Sequence, residues 1–200
     1  MHKFYIFIIS ALLFQGCIYS DMTHLSDDDL QWIDGFYNDS YLEYRSDKNN
    51  LDTVFISRLS IQNSSCPIYV SDNYYDTFTA NASVSCFFRS NPNYNYLLFY
   101  IDRSIENRDT LSMDIVPDFY DVNDKFISPE KIFSLGDFQT KDQSWDNCMI
   151  VDLDYIHPPF DKHCPKRFLK TIVIQKGHGL VYYKYYDGEE FIFKRIIKRK

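Results

Sequence analysis

The sequence predicts a mainly β protein, an antiparallel sandwich or strongly curved sheet with two short helices. Three observations carry this prediction. Strand-length runs rich in β-branched and aromatic residues recur along the chain, from YLEYRS at 41–46 to EFIFKRII at 190–197. Tyr, Phe and Trp make up 18% of the residues, and rings of this kind suit a pleated, half-buried surface. Asn, Asp, Gly and Pro punctuate the runs, and helical start-and-stop grammar occurs at two places only. Many strands with so little helix fold as a sandwich or a curled antiparallel sheet.

The chain opens with Met1-His2-Lys3, then FYIFIISALLF at 4–14, then Gln15-Gly16-Cys17. Those eleven residues make a helix of roughly 16 Å, against a bilayer core of about 30 Å. A positive start, a short apolar run and a small residue form an export signal rather than a span. Gly16-Cys17 resembles the lipobox of bacterial lipoproteins, although Leu13 stands four residues before the Cys and Phe14 three before. That resemblance implies cleavage after Gly16 and a diacylglyceryl anchor on Cys17. Residues 1–16 are then a signal peptide and 17–200 a single extracytoplasmic β-rich domain. The alternative cut follows Ser20, with Ile18 and Ser20 at the small-residue positions, and releases 1–20.

The first helix is expected after Ser26. Asp27, Asp28 and Asp29 fill its first turn, where carboxylates suit the helix dipole, and Asp29 stands at the capping-box position. Leu25 and Leu30 are spaced as a hydrophobic staple, and Gly35 supplies the stop. Strands are then expected at YLEYRS, TVFISRLSI, PIYV, SVSCFF and YLLFYID. The second helix is expected from a Ser128 cap and Pro129 through to Gly136, with Ile127 stapled to Ile132. CMIVDLD, LKTIVIQ, GLVYYKYY and EFIFKRII complete the strands. Asp187-Gly188 between the last two reads as a two-residue type I′ turn.

Setting Cys17 aside leaves Cys66, Cys86, Cys148 and Cys164, an even number suited to an oxidising compartment. Four cysteines allow three connectivities. Pairing of sequence neighbours, Cys66 with Cys86 and Cys148 with Cys164, is the expectation. Each bridge would contribute about 3 kcal/mol in the chain-entropy model.

The formal charge of −7 disfavours nucleic acid, whose phosphates need a basic footprint, and suits a basic protein partner. No Gly-rich phosphate loop, nucleophile elbow or H-E-x-x-H occurs in the sequence. His157, Asp161, His163 and Cys164 are of zinc-ligand type but lack finger spacing, and read as a disulfide-held loop. His178 lies between two glycines and reads as a turn residue, and Asp152 and Asp154 share a strand face. No catalytic residue, metal or cofactor is assigned. Asn38, Asn63 and Asn81 open glycosylation sequons, which count if the source is eukaryotic or viral. Tyr-rich stretches such as DNYYDTF and NPNYNYLLFY are candidates for a binding face.

As a whole the chain resembles the small acidic lipoproteins of Gram-negative envelopes, some of which are immunity proteins against secreted toxins. The resemblance implies a non-enzymatic binding protein anchored to a membrane by lipid. A secreted, glycosylated virulence or immune-evasion protein of a virus or parasite is the alternative, and a secreted hydrolase the third reading.

Overall fold

The structure is a computed structural model that describes residues 21–63, 77–89, 96–106, 108–118, 129–154 and 168–198. The cuts at Gly16 and Ser20, Cys17, Cys66 and Cys164, PIYV at 67–70 and the His157–Cys164 cluster lie outside these residues.

The predicted class holds: a strongly curled antiparallel sheet forms a half-barrel, with one short helix rather than two. In chain order the elements are β1 (Asp21–Met22), α1 (Asp27–Leu30) with a 3-10 turn at Gln31–Ile33, β2 (Ser40–Ser46), β3 (Leu51–Gln62), β4 (Thr77–Phe78), β5 (Asn81–Phe88), β6 (Tyr96–Arg103), β7 (Leu111–Asp118), β8 (Glu130–Gln139), β9 (Ser144–Asp154), β10 (Leu169–Gln175), β11 (Gly179–Tyr185) and β12 (Glu190–Lys198). β1 and β4 make a two-stranded parallel pair. The other ten strands form one sheet in the order β7-β6-β5-β3-β2-β12-β11-β10-β9-β8. This is two five-strand meanders, 40–118 and 130–198, joined where β12 pairs β2 from Phe191↔Ser46 to Lys198↔Ser40. The two edges, β7 and β8, follow one another in sequence, and Lys131 Nζ of β8 reaches Asp114 Oδ1 of β7 at 2.5 Å.

Alternation sends one set of side chains to the concave side. Leu42 and Tyr44, Val54 and Ile56, Val84 and Cys86, Leu97 and Phe99, Met149 and Val151, and Tyr183 and Tyr185 meet there in the main core. Burying a large apolar side chain of this kind stabilises by about 1.5–3 kcal/mol before entropy is counted. The α1 segment closes one end of the half-barrel, with Leu25, Trp32, Ile33 and Phe36 buried in the same core and Leu30 packed against it. Its cap is as the sequence predicts: Ser26 Oγ accepts from Asp29 N–H at 3.1 Å, and Asp29 Oδ2 accepts from Ser26 N–H at 2.8 Å. Gly35 turns the chain at φ +88°, and a Cβ there would lie 2.2 Å from the His178 carbonyl oxygen.

Two expectations are corrected. The predicted second helix is β8, paired antiparallel to β9 from Glu130↔Asp154 to Gln139↔Ser144. Ser128 and Ile127 lie outside the described residues, while Ile132, Phe133 and the interior Gly136 are weak helix formers, so a partnered strand wins over a local cap signal. The Asp187-Gly188 turn is a three-residue loop, not a two-residue type I′. Tyr185 N–H donates to Glu189 O and Gly188 N–H to Tyr185 O, both at 3.0 Å. Only Gly188, at φ +87°, takes the left-handed conformation among Tyr186, Asp187 and Gly188. A type I turn followed by one such residue makes a bulged hairpin. The β2–β3 loop repeats this with Asn49 at φ +64°, and Asn50 Nδ2 donates to Glu189 Oε1 at 2.7 Å, lacing the two loops together.

Candidate functional site

The residues that point away from the core on the first meander form the candidate site. Because Leu42 and Tyr44 face inward on β2, Tyr41, Glu43 and Arg45 face outward. The same alternation turns Thr53 and Phe55 outward on β3, Ser85 and Phe87 on β5, and Tyr96 and Leu98 on β6. The strand registers then align one ring from each strand: Tyr41 opposite Phe55, Phe55 opposite Phe87, and Phe87 opposite Tyr96. Ile197 of β12 stands opposite Tyr41 and extends the row to a fifth strand. With strands about 4.8 Å apart, the row crosses roughly 19 Å of the convex face.

The rings lie along the sheet in tilted pairs. Tyr41 and Phe55 lie 4.9 Å apart between centroids, and Phe87 and Tyr96 5.3 Å apart. Tyr96 Oη is 2.9 Å from Ser85 Oγ. Tyr41, Phe55 and Tyr96 are half-buried, whereas Phe87 is 44% and Ile197 39% exposed. Cross-strand aromatic pairs of this kind contribute about 0.2–1 kcal/mol each, so part of the row's role is to hold the sheet. Pair stability does not require Phe87 to meet water, however, and exposed apolar surface of this kind marks interaction sites. Beside the rings runs a polar row, Arg195 opposite Glu43 and Glu43 opposite Thr53, with Arg89 N–H donating to Thr53 O at 2.9 Å. Arg58 stands opposite Ser85 on the other flank.

The residues singled out from sequence fall elsewhere. His178 is exposed in the β10–β11 turn, with Nδ1 3.5 Å from the Lys176 carbonyl. Asp152 and Asp154 are both exposed on β9, and Thr171 Oγ1 donates to Asp152 Oδ1 at 2.6 Å. Cys86 and Cys148 are buried free thiols. Burial pushes the Cys86 thiol far above its ordinary range and that of Cys148 up to about 11. They lie in separate clusters on opposite faces of the sheet, Cys86 among the main core and Cys148 under Trp145 with Val173 and Val181. Neither carries a bridge, so the expected Cys66–Cys86 and Cys148–Cys164 pairs are not formed in this structure, and the placement on opposite faces rules out Cys86–Cys148 as well. Asn38 Oδ1 accepts from Leu59 N–H, and Asn81 Nδ2 donates to Gln62 Oε1 at 3.2 Å. Asn63 is clamped at both ends of its amide by the Leu25 backbone, at 2.9 and 2.8 Å.

The polar groups inside the half-barrel are structural. Tyr183 Oη donates to the buried Asp52 at 2.5 Å, and Tyr44 Oη to Leu180 O at 2.7 Å. Burial first, and then Asp52 for Tyr183 and Cys86 ahead of Asp52 for Tyr44, hold both phenols neutral well above their ordinary range. Among the described residues no three His, Cys, Asp or Glu side chains are grouped to hold a metal. No described helix is long and apolar enough to cross a membrane.

Of the row, the sequence reading reached only Tyr96, within NPNYNYLLFY; residues 72–76 of DNYYDTF lie outside the described residues. Tyr41, Phe55 and Phe87 each stand at the outward phase of a legible strand. Their alignment depends on register between strands, which no local pattern reveals. Comparison of the chain with protein families, curated proteins and solved structures yields no match.

Proposed function

We propose that this is a non-enzymatic binding protein of the cell envelope, exported by its N-terminal segment and held by lipid on Cys17, which docks a protein partner through the Tyr41–Phe55–Phe87–Tyr96 row. The observation that carries the reading is the register that brings four rings and Ile197 onto one outward face between arginines. Aromatic and arginine side chains are enriched where protein interfaces concentrate their binding energy. The positions of His178, Asp152 and Asp154 on separate exposed segments also favour binding over acid–base chemistry.

Two measurements test it. A photo-crosslinking residue at Phe87 in producing cells gives a discrete adduct, while the same residue at Asp142, in the β8–β9 turn, gives none. Equal labelling at both positions, or none at either, refutes docking at this face. Mass spectrometry of the mature protein finds a diacylglyceryl Cys17 at the N-terminus; a free Asp21 would show the anchor reading wrong.

A further inference from the structure

The outward face around the rings has the opposite sign to the molecule. The chain carries −7, yet the outward positions flanking the row hold Arg45, Arg58, Arg89 and Arg195 against Glu43 and, at the register position opposite Tyr96, Asp118. Arg195 grips Glu43 through two nitrogens, Nε to Oε1 at 3.1 Å and Nη2 to Oε2 at 3.0 Å. Arg45, Arg58 and Arg89 are exposed and pair with no carboxylate among the described residues. All four cations are arginines, whose planar fork matches a carboxylate, as the Glu43 pair demonstrates on this same face.

We infer that the face takes an acidic protein surface, whose carboxylates are received by Arg45, Arg58 and Arg89 while its apolar side chains cover the ring row. This rests on the docking reading above and gives the partner a charge opposite to the one the net charge suggests. An approaching partner meets the local field within a Debye length of about 8 Å rather than the total charge. An anionic lipid surface fits less well. The rings lie against one another along the sheet at 4.9 and 5.3 Å instead of projecting as a wedge.

The test uses the full chain, a random copolymer of glutamate and tyrosine, its lysine–tyrosine counterpart, and phosphatidylcholine vesicles with and without phosphatidylglycerol. The acidic copolymer binds, and Arg58→Glu with Arg89→Glu weakens it by about tenfold or more. Both arginines are exposed, so the variant keeps its fold by circular dichroism. If the double variant fails to fold, Arg58→Glu alone and a salt titration give the same reading. Unchanged affinity in the variant, tighter binding of the lysine copolymer, or vesicle binding that exceeds copolymer binding and is lost in the variant each overturns the inference. A Phe87 adduct that survives the double reversal sinks the acidic partner and leaves docking intact; loss of all Phe87 adducts in the unmodified chain sinks docking itself.

Discussion

The carboxylate of Asp29 closes the cap of α1 and also receives Arg103, Nε at 2.7 Å and Nη2 at 2.9 Å, so a local stop signal and a long-range tie share one side chain. Burial alone would raise its pKa, but the Arg103 bonds and those of Ser26 outweigh burial and hold it below the ordinary carboxylate value. A carboxylate depressed in the folded state contributes stability above its unfolded pKa and loses it as pH falls through the folded one. Asp29→Asn is therefore expected to cost about 2–3 kcal/mol near neutrality, since it leaves a partly buried guanidinium without its charge partner. The cost should shrink toward pH 3, and urea unfolding at both pH values checks it; an equal cost at each contradicts the account. Glycines give a second contrast. Gly188→Ala meets no atom within 4 Å and is expected to cost about 1 kcal/mol, for its positive φ alone. Gly35→Ala adds a collision with the His178 backbone and should cost about 3 kcal/mol or more, or prevent folding. Thermal unfolding of the two variants would settle the order.

Among the elements, β8 is the weak edge. Ile132, Phe133 and Leu135 are 59%, 42% and 66% exposed, and no other described strand covers the far side of β8. The other edge, β7, carries Pro117, which has no N–H to offer an incoming strand. An uncovered apolar edge without proline is prone to pair with other chains. Leu135→Lys is expected to lower self-association at high concentration while changing stability by no more than about 0.5 kcal/mol, as sedimentation and urea unfolding would measure. A loss of several kcal/mol would mean that Leu135 is packed rather than exposed. Legibility varied by element for physical reasons. β10 was read with its observed bounds, Leu169–Gln175, because its run is short, apolar and flanked by turns. β7 is hidden because Asp114 and Pro117 interrupt its pattern, and β8 looks helical because Ser-Pro and Gly imitate helix ends. The α1 cap was fully legible because it is a contact between residues three apart.

At the scale of the molecule, the seam between β12 and β2 joins the last described strand to the first of the large sheet. Arg195 and Glu43, paired across it, are 152 residues apart in sequence. Such pairing cannot form until most of the chain is present, and sheets dominated by non-local contacts fold in roughly milliseconds to seconds. Stopped-flow refolding of the reduced protein should fall in that range. A microsecond phase carrying the whole amplitude would be inconsistent with this strand order. The face of rings belongs to this scale too. Each ring could be seen in its own strand, but the row exists only once five strands have found their registers. That is why the outward pattern was open to sequence reasoning and the docking face was not.

The position of the seam has one more consequence. A cut in the chain between Asp118 and Glu130 breaks no strand pairing among the described residues, because β7 and β8 lie at opposite edges of the sheet. The two resulting polypeptides would each be a sequential ribbon with an unfinished border, β2 on one and β12 on the other. Made separately, they should recognise each other through those borders and rebuild the protein, a split pair whose reunion reports on the β2–β12 zipper together with the contacts that close over it, such as Tyr183 to Asp52 and Asn50 to Glu189.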